Sequence, residues 1–455
     1  MLQQNWTDIL NSISLDEQEP IICDRFVKPL INALGFKERE WRPEFKTGDA
    51  KNWVDFAARK NNSDNDIFFE SKQNPYLLIE AKGRAKDAGA KINLLEGTPQ
   101  YIATKAQITR YLLSPKCQTA QWGIITNSTH IQLFRRHGKV VFPATANLLI
   151  KPDNISDTVA YIKNAIDNPP KALTVCLYNN KGGVGKTTTT LNLAAILTRL
   201  GKKVLVVDFD SQQGDLTNSL GLKLGTVSLC DCLMDNSSDI QATIQSFVVK
   251  DKSGMQVKLF DVIPADPRMA EYTEADLAAR IQKGAARLRD LLKVFVDRYD
   301  YILIDCPTNW MFFSQSSVYA ADAVLIPTNH NNLASLHNAA KVIRELIPKV
   351  KEARKDGGPI ALPIFFNGEK ISDAALATAN REIEVIIAQV QKQYNFNLVP
   401  YFYPKTTSGN INRTVFTLPN HAVVANAAFS RIPAVFRYAP VAEYYLGLAK
   451  EYFLH

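Results

Sequence analysis

The stretch Lys181-Gly182-Gly183-Val184-Gly185-Lys186-Thr187-Thr188 decides the fold of the C-terminal part of this 455-residue chain. It follows an apolar run at residues 173–178, typical of a buried strand, and precedes helical apolar spacing at residues 187–200. Glycines at such a junction let backbone N–H groups surround phosphate oxygens, and the helix N-terminus adds its positive dipole. The stretch therefore predicts a phosphate-binding loop in which Lys186 neutralises phosphate and the Thr187 hydroxyl is a magnesium ligand.

The remainder of the C-terminal part alternates between strand-like and helix-like segments. Short, continuous apolar runs recur with helical stretches between them, at residues 203–208, 301–305, 323–327 and 362–366. Strands of this kind are buried on both faces, and their alternation with helices is typical of parallel sheets. We therefore expect an α/β domain with a mainly parallel sheet flanked by helices.

The N-terminal part has a different order of elements. We predict helices at residues 22–34 and 99–113, and strands at residues 54–57, 67–69, 76–82, 122–126 and 131–134. The paired prolines of Asn168-Pro169-Pro170-Lys171 mark a boundary, since the residue before a proline is disfavoured in a helix. We expect a mixed α/β domain at residues 1–150, a helical linker at 151–171 and a P-loop domain at 172–455.

The charge distribution favours a polyanionic partner. The formal net charge is +8; residues 385–441 contain no acid, and residues 88–152 contain only Glu96. Such stretches are typical of nucleic-acid contacts, although ordinary solvated faces explain them equally well on charge alone. Within the first stretch the candidate DNA-binding residues are Arg413, Arg431 and Arg437.

Membrane and secretory signals are missing from the sequence. No apolar run reaches the roughly 18–20 residues that span a bilayer, and the N-terminus lacks a basic region followed by an apolar core. The six cysteines show no metal-binding CxxC spacing. We expect a cytoplasmic, nucleoid-associated protein with reduced structural thiols and no membrane partner.

The loop resembles that of the ParA/MinD-type deviant Walker A ATPases, whose second, signature lysine matches Lys181. In that family two subunits enclose two nucleotides, and this lysine reaches the phosphates of the partner's ATP. The resemblance implies ATP and Mg2+ as cofactors, a homodimer on ATP binding and double-stranded DNA as a partner. It leaves open a small activating partner protein.

Acidic residues at two further strand ends extend the resemblance. Asp210 matches the acid that positions the attacking water, and Asp208 matches a residue that supports the magnesium shell. Asp305 matches the Walker B acid, close to magnesium through water. Asn367 resembles the strand-end residue that touches adenine, although Asn before Gly is also a common turn. Thr308 departs from the family, which often has a proline there.

The N-terminal part contains a second candidate site with the pattern D…ExK, formed by Asp55, Glu80 and Lys82. Residues two apart on a strand share a face, and a neighbouring strand can bring Asp55 beside Glu80 and Lys82. Two carboxylates can hold a divalent metal, and the lysine can orient water for attack on a phosphodiester. Gln107 and Tyr111, four residues apart, share a face of the next predicted helix.

This succession resembles the PD-(D/E)xK nuclease fold, in particular the N-terminal domain of the R subunits of type I restriction enzymes. The early acid of that fold stays open between Glu19 and Asp24, and Val54 stands where a proline often precedes the strand acid. An ordinary surface ion pair with a plain helix face remains an alternative. So does a retained fold that binds DNA without cutting it.

Two hypotheses for the whole chain follow. In the first, an ATP-dimerised, DNA-binding ATPase is coupled to a metal-dependent endonuclease-like domain, in defence against foreign DNA. In the second, the chain is a partitioning ATPase for a plasmid, chromosome or other cargo, and its N-terminal domain is a non-cleaving DNA-binding or adaptor module.

Overall fold

The structure is a computed structural model that describes residues 5–49, 52–85, 90–250, 253–368, 371–405, 412–419, 424 and 431–455. The chain divides into two compact units. Unit 1 comprises Met1–Pro169 together with Lys355–Gly358, and unit 2 comprises Pro170–Arg354 and Pro359–His455. The two units meet in the chain between Pro169 and Pro170, the paired prolines at which the sequence predicts a boundary. None of the described helices is both long and apolar enough to cross a membrane.

Unit 1 is a mixed α/β unit. Its strands are β1 (Trp41–Lys46), β2 (Trp53–Ala58), β3 (Leu77–Ala81), β4 (Trp122–Thr126), β5 (His130–His137), β6 (Val140–Pro143) and β7 (Leu148–Leu149). Its α-helices are α1 (Trp6–Asn11), α2 (Glu19–Ile22), α3 (Lys28–Ala33), α4 (Phe68–Ser71), α5 (Pro99–Leu112) and α6 (Ile155–Asp167). A π-helical turn, Cys23–Val27, connects α2 to α3, and a 3-10 turn, Pro115–Cys117, follows α5.

The sheet of unit 1 has the order β1-β2-β3-β4-β5-β6, with β7 paired to β5. Only β3 and β4 pair in parallel, and α5 is the crossover between them. One apolar layer joins the sheet to α1, α3 and α6, and another joins its opposite face to α5. Strand β3 is buried along its whole length because helices cover both faces.

Two sequence expectations for unit 1 differ from the structure. Helix α6, expected as part of a linker, buries Ile155, Val159, Ile162 and Ile166 in the core of unit 1, because these residues recur at helical spacing. The prediction of a strand at residues 67–69 was wrong, since Phe68–Ser71 form the short helix α4. Three apolar residues do not distinguish a strand from a single helical turn.

Unit 2 contains an eight-stranded sheet. Its strands are β8 (Leu173–Leu177), β9 (Val204–Asp208), β10 (Gln245–Lys250), β11 (Gln256–Ile263), β12 (Tyr301–Asp305), β13 (Ala323–Thr328), β14 (Ile360–Gly368) and β15 (Phe416–Pro419). Their order is β10-β11-β9-β12-β8-β13-β14-β15, and only the edge strand β10 pairs antiparallel. The predicted mainly parallel sheet flanked by helices is confirmed.

The helices of unit 2 connect these parallel strands. They are α7 (Lys186–Arg199), α8 (Asp215–Leu220), α9 (Leu229–Met234), α10 (Glu274–Arg280), α11 (Ala286–Leu292), α12 (Phe312–Ala320), α13 (Leu333–Lys341), α14 (Ile347–Arg354), α15 (Asp373–Tyr394), α16 (Val399–Phe402), α17 (Ala434–Arg437) and α18 (Ala439–Tyr452). A π-helical turn, Val342–Leu346, precedes α14, and 3-10 turns lie at Ile240–Thr243, Pro267–Glu271 and Lys293–Phe295. All six cysteines are free, and Cys23 alone is not fully buried.

The packing of α5 on β4 gives a test of the unit 1 core. A Cβ at Gly123 would lie 2.8 Å from Ile108 Cγ1 and 2.9 Å from Leu112 Cδ1, so Gly123→Ala forces α5 away from the sheet. We expect a loss of about 1–3 kcal/mol in the free energy of unfolding of unit 1. Urea unfolding monitored by tryptophan fluorescence measures this, since four of the five tryptophans precede residue 123.

The matched control is Gly447→Ala in α18. There the nearest atom to an added Cβ is Phe416 Cζ at 3.8 Å, an ordinary contact, and alanine is the better helix former. This variant should be neutral or more stable than the wild type. Equal stability of Gly123→Ala and the wild type would contradict the close packing of α5 on β4.

Candidate functional site

The loop between β8 and α7 is shaped by its glycines. Gly183 and Gly185 have φ values of 74° and 81°, in the region that favours glycine. An added Cβ at Gly185 would also overlap the amide of Asn367. Lys186 opens α7, is only 8% exposed, and its Nζ donates to Lys181 O at 3.4 Å. The lysine amine therefore lies across the mouth of the loop, where phosphates would be bound.

The parallel sheet brings two of the predicted acids to this loop. Strand β12 lies between β8 and β9, and its register pairs Asp305 with Asp208. Both carboxylates therefore end their strands next to the loop that follows β8. The hydroxyl of Thr187, the second residue of α7, lies close enough to Asp305 to lower the pKa of that carboxyl. The sequence-predicted Lys186, Thr187, Asp208 and Asp305 are brought together.

Asp305 is a buried acid with few groups around it that stabilise its negative charge. Its Oδ1 has no hydrogen-bond partner among the described residues, and the side chain is 1% exposed. Burial, followed by repulsion from Asp208, raises the pKa of Asp305 to about 8, against the lowering effects of Thr187 and Lys186. An anionic carboxylate at this position therefore needs a further positive charge to be stable.

Asp208 differs because the protein satisfies both of its oxygens. Oδ2 accepts from the Thr217 N–H at 2.9 Å and from its hydroxyl at 2.6 Å, and Oδ1 accepts from the Asp210 N–H at 3.3 Å. Burial still raises the pKa of Asp208 to about 6. These contacts hold α8 and the preceding turn against β9. Asp208 therefore also stabilises the local fold. This role could not be predicted from the sequence, because its partner Thr217 lies nine residues further along the chain.

Asp210 and Asn367 flank the loop. Asp210 is half-buried, its Oδ1 accepts from the Gln213 N–H at 3.3 Å, and burial raises its pKa. Asn367 Nδ2 donates to Val184 O at 2.9 Å, which braces the backbone of the loop. The water-positioning role of Asp210 and the adenine contact of Asn367 stay predictions, as does the role of Lys181 toward a partner subunit.

A cavity of about 360 Å³ opens beside the start of α7. Its lining includes Thr187 and Thr188 from α7, Asp215 and Asn218 from α8, and Pro433 before α17. A volume of this size is within the usual range for small-molecule sites. The cavity therefore offers space for a ligand that continues from the loop.

The candidate nuclease residues of unit 1 form a second cluster. The register that pairs Phe56 with Ile79 places Asp55 beside Glu80, and the Ala81 N–H donates to Asp55 Oδ2 at 2.7 Å. Lys82 Nζ lies 2.5 Å from Glu80 Oε1 and 3.7 Å from Glu19 Oε2. The predicted trio of Asp55, Glu80 and Lys82 is therefore brought together.

Of the two candidates for an early acid, only Glu19 lies at this cluster. Asp24 instead pairs with Lys28 at 2.7 Å, and both of those side chains are exposed. Glu19 opens α2, which lies close to the end of β3 because Gly83 has no side chain: an added Cβ there would lie 2.9 Å from the Glu19 N. The glycine after Lys82 was the available sequence signal for this close approach.

Burial dominates the electrostatics of this cluster. It raises the pKa of Glu80 well above its ordinary value, and Asp55 raises it further. Burial also raises the pKa of Asp55. For Lys82 burial alone would lower the pKa, but Glu80, Glu19 and Asp55 together raise it. The thiol of Cys23, which sequence reasoning missed, has its pKa raised to about 12 by burial and by these acids.

Gln107 does not join the trio directly. Its Nε2 donates to Tyr111 Oη at 2.8 Å, as their shared helix face predicts. No hydrogen bond links Gln107 to Asp55, Glu80 or Lys82 within the part of the chain that the structure describes.

Both clusters suit a divalent cation that prefers oxygen. No group of three or more His, Cys, Asp or Glu with metal-binding geometry occurs among the described residues. Magnesium, however, commonly takes one or two protein oxygens and completes its shell with water and phosphate. The unpartnered Oδ1 of Asp305 and the unpartnered Oε2 of Glu80 are buried oxygens of this kind. Thr187 with Asp305, and Asp55 with Glu80, therefore fit the ion.

The candidate DNA-binding arginines have different surroundings. Arg413 forms an ion pair with Glu384, whereas Arg431 and Arg437 are exposed, and the Arg431 side chain lies over Gly221. In the other acid-poor stretch Arg135 and Arg136 are buried, and Arg136 donates to Cys117 O at 2.7 Å. Residues 88–152 therefore include two arginines that are buried in unit 1, and a polyanion surface formed by this stretch would not include them.

Comparisons with known proteins give a family match and several curated relatives. Residues 172–357 match a protein-family model described as an AAA domain. The chain is 35% identical over 178 residues to the sporulation initiation inhibitor protein Soj of Bacillus subtilis, covering 38% of this chain and 66% of that protein. It is 36% identical over 156 residues to the chromosome partitioning protein ParA of Myxococcus xanthus, covering 34% and 50%. The chain thus spans about half to two thirds of these curated relatives.

Among solved structures, a Cyanothece McdA–ATP complex is 19% identical, covers 63% of this chain and 98% of its own, and has a TM-score of 0.48. MinD with Mg-ADP from Pyrococcus horikoshii is 22% identical, covers 62% and 95%, and has a TM-score of 0.43. The family match and the curated relatives support a ParA/MinD-type P-loop ATPase domain in the C-terminal part of the chain.

The buried Asp305 gives a pH-dependent prediction. Its folded pKa of about 8 exceeds the ordinary value near 3.9, so the folded state binds more protons and loses stability as pH rises between these values. Asp305→Asn removes this loss. Without nucleotide or divalent ions, we expect the variant to melt at least about 2 °C above the wild type at about pH 8, and the gap to narrow at about pH 5.

Differential scanning fluorimetry at the two pH values measures this gap. The exposed Asp153→Asn is the control and should melt like the wild type at both. A gap of the same size at both pH values would show that the carboxyl of Asp305 does not have a raised pKa.

Proposed function

We propose that the chain is an ATP-hydrolysing switch of the ParA type that pairs two copies when ATP binds. The observation that carries the proposal is the convergence of Lys186, Thr187 and Asp305 at the glycine loop, in the sequence context of Lys181. The relatives named for chromosome partitioning and sporulation control favour a role in positioning a cargo over DNA.

In the proposed mechanism, phosphoryl transfer to water depends on positioning rather than covalent chemistry. The loop N–H groups and the Lys186 ammonium would hold the phosphates, and the Thr187 hydroxyl and the Asp305 carboxylate would hold Mg2+, which would supply charge neutralisation. Asp210 orients the attacking water. Lys181 reaches the phosphates bound by the partner subunit, which couples dimerisation to the presence of ATP.

Substitutions of the two loop lysines distinguish ATP binding from dimerisation. Lys186→Ala should lower ATP hydrolysis by about 100-fold or more, because the charge on the phosphates loses its partner. Lys181→Ala should still bind ATP as a monomer but should not dimerise. Hydrolysis assays and light scattering with ATP measure these effects. Lys349→Ala, at an exposed lysine on α14, is the control; normal ATP-dependent pairing of Lys181→Ala would refute the sandwich dimer.

A second activity is proposed for unit 1, a metal-dependent cleavage of DNA. Its support is the buried trio of Asp55, Glu80 and Lys82, with Glu19 beside Lys82. Asp55 and Glu80 would hold a divalent cation that activates water, and the Lys82 ammonium would orient that water toward the phosphodiester. The unpartnered Oε2 of Glu80 favours this over a plain structural ion pair, in which both oxygens are normally satisfied.

Pairing by ATP would bring two such sites to one duplex. The basic residues Arg413, Arg431 and Arg437 are the proposed DNA contacts of unit 2, and their binding should weaken with salt. A function in defence depends on cleavage, whereas a partitioning function requires only DNA binding by unit 1. A small activating protein would be the expected regulator in the partitioning case.

Plasmid nicking decides between these roles. With Mg2+ or Mn2+ present, Glu80→Gln should reduce nicking by about 100-fold, because the amide cannot replace an anionic metal ligand. Glu70→Gln, at an exposed acid paired with Arg39, is the matched control and should nick normally. If the wild type fails to nick under any metal and nucleotide condition, unit 1 is a non-cleaving module and the partitioning alternative stands.

A further inference from the structure

A basic pocket lies at the edge of the unit 2 sheet opposite the phosphate-binding loop. It is a cavity of about 570 Å³, lined by five cationic side chains: Lys171, Lys202, Lys203, Lys258 and Arg298. The parallel strands β8, β9 and β12 all start here and end at the loop, so the two sites occupy opposite ends of the same strands. The pocket therefore lies outside the proposed ATP site.

The pocket exists because two neighbouring strands differ in length. Strand β11 pairs with β9 only at Asp261–Ile263, opposite Leu205–Val207. The earlier residues of β11, from Gln256 to Phe260, continue past the start of β9 and pair only with β10. The resulting gap beside β9 is lined by Lys202 and Lys203 on one side and by residues 258–260 on another.

The acids of the pocket are largely neutralised within the protein. Asp261 accepts from Ser246 at 2.7 Å and Tyr299 at 2.9 Å, and it pairs with Lys258 at 2.8 Å. Asp300 follows the lining residue Tyr299 in the chain. It forms an ion pair with Lys171 at 3.2 Å and accepts a hydrogen bond from the Lys203 N–H at 2.7 Å. Asp297 is an exposed acid at the rim.

Two of the lysines form no ion pair with a described residue, although Lys202 is close enough to Asp300 to help lower the pKa of that acid. The ammonium groups of Lys202 and Lys203 form no ion pair with any acid in the described ranges, although both belong to the lining. Arg298 donates to the neutral Gln241 rather than to a carboxylate. Adjacent unpaired cations repel each other, and a shared anion relieves that repulsion.

We propose that this pocket binds a compact, multiply charged phosphate chain, with Lys202 and Lys203 as its principal contacts. The concave shape and moderate volume suit a small polyanion, because lysines that precede β8 and β9 and a lysine of β11 line one space. A free inorganic polyphosphate and the phosphate chain of a nucleotide share this chemistry. The inference does not depend on ATP hydrolysis or on cleavage by unit 1.

Isothermal titration calorimetry on the full chain tests the proposal. All proteins carry Lys186→Ala, so that the loop does not contribute, and the probes are tripolyphosphate and ATP. Adding Lys202→Ala and Lys203→Ala should weaken tripolyphosphate binding by at least about tenfold at low salt. The control adds Lys223→Ala and Lys349→Ala, which removes the same charge from exposed positions elsewhere, and should bind like the background protein.

The two probes identify the source of the phosphate. An equal loss for tripolyphosphate and ATP supports recognition of the chain itself, and a larger loss for ATP supports a nucleotide ligand. With Lys186 intact, Lys202→Ala/Lys203→Ala should retain ATP binding at the loop, which shows that the variant folds. Absence of saturable tripolyphosphate binding, or equal tripolyphosphate binding by the lysine variants and the background protein, would overturn the proposal.

Discussion

The buried carboxylate of Asp305 is the feature around which unit 2 is arranged. A parallel sheet places the carboxyl ends of neighbouring strands together, so Asp305 and Asp208 lie side by side beside the loop that follows β8. Two neighbouring buried acids repel each other when both are ionised, and the protein provides hydrogen bonds to both oxygens of only one of them. Thr217 and the Asp210 backbone satisfy Asp208, whereas Asp305 keeps a buried oxygen without a partner.

Unit 1 also contains two neighbouring buried acids, but here a lysine of the protein lies beside them. Asp55 and Glu80 are neighbours across β2 and β3, and burial raises the pKa of both. Here a cation of the protein itself, Lys82, pairs with Glu80, and Glu19 lies close behind it. Lys82 contacts Oε1 of Glu80, and Oε2 has no hydrogen-bond partner among the described residues. Because buried carboxylate oxygens are normally hydrogen-bonded, this oxygen supports the cation site proposed for unit 1.

Residues that obey local rules could be predicted from the sequence. The glycine loop, the apolar parallel strands and the helix carrying Gln107 and Tyr111 follow from spacing and composition alone. The convergence of Asp55, Glu80 and Lys82 also followed, because adjacent strands and a two-residue repeat leave few arrangements. Contacts between distant segments did not follow: Thr217 with Asp208, Asn367 with the loop, and Glu19 with Lys82 depend on register and topology.

Strands at or next to the edges of the sheets could not be predicted from the sequence either. Strand β1 contains Arg42, Pro43 and Glu44, and β10 and β11 mix polar with apolar residues, so none has the continuous apolar pattern of a central strand. The sequence therefore revealed the centre of each sheet and not its margins. The basic pocket lies at such a margin, where β11 extends beyond β9. It was invisible in the sequence because Lys202, Lys258 and Arg298 are far apart along the chain.

The raised pKa values link stability to ligand binding in both units. In the absence of a cation, the folded protein favours the protonated forms of Asp305 and Glu80, so their ionisation opposes folding as pH rises. A cation that binds the ionised carboxylates binds only the folded arrangement, and it therefore stabilises that arrangement by mass action. Since the two carboxylate pairs lie in separate units with separate apolar cores, the proposed cations would stabilise each unit separately. Buried carboxylates with raised pKa values lower the stability of the folded state as pH rises, and such a loss of stability is common at functional sites.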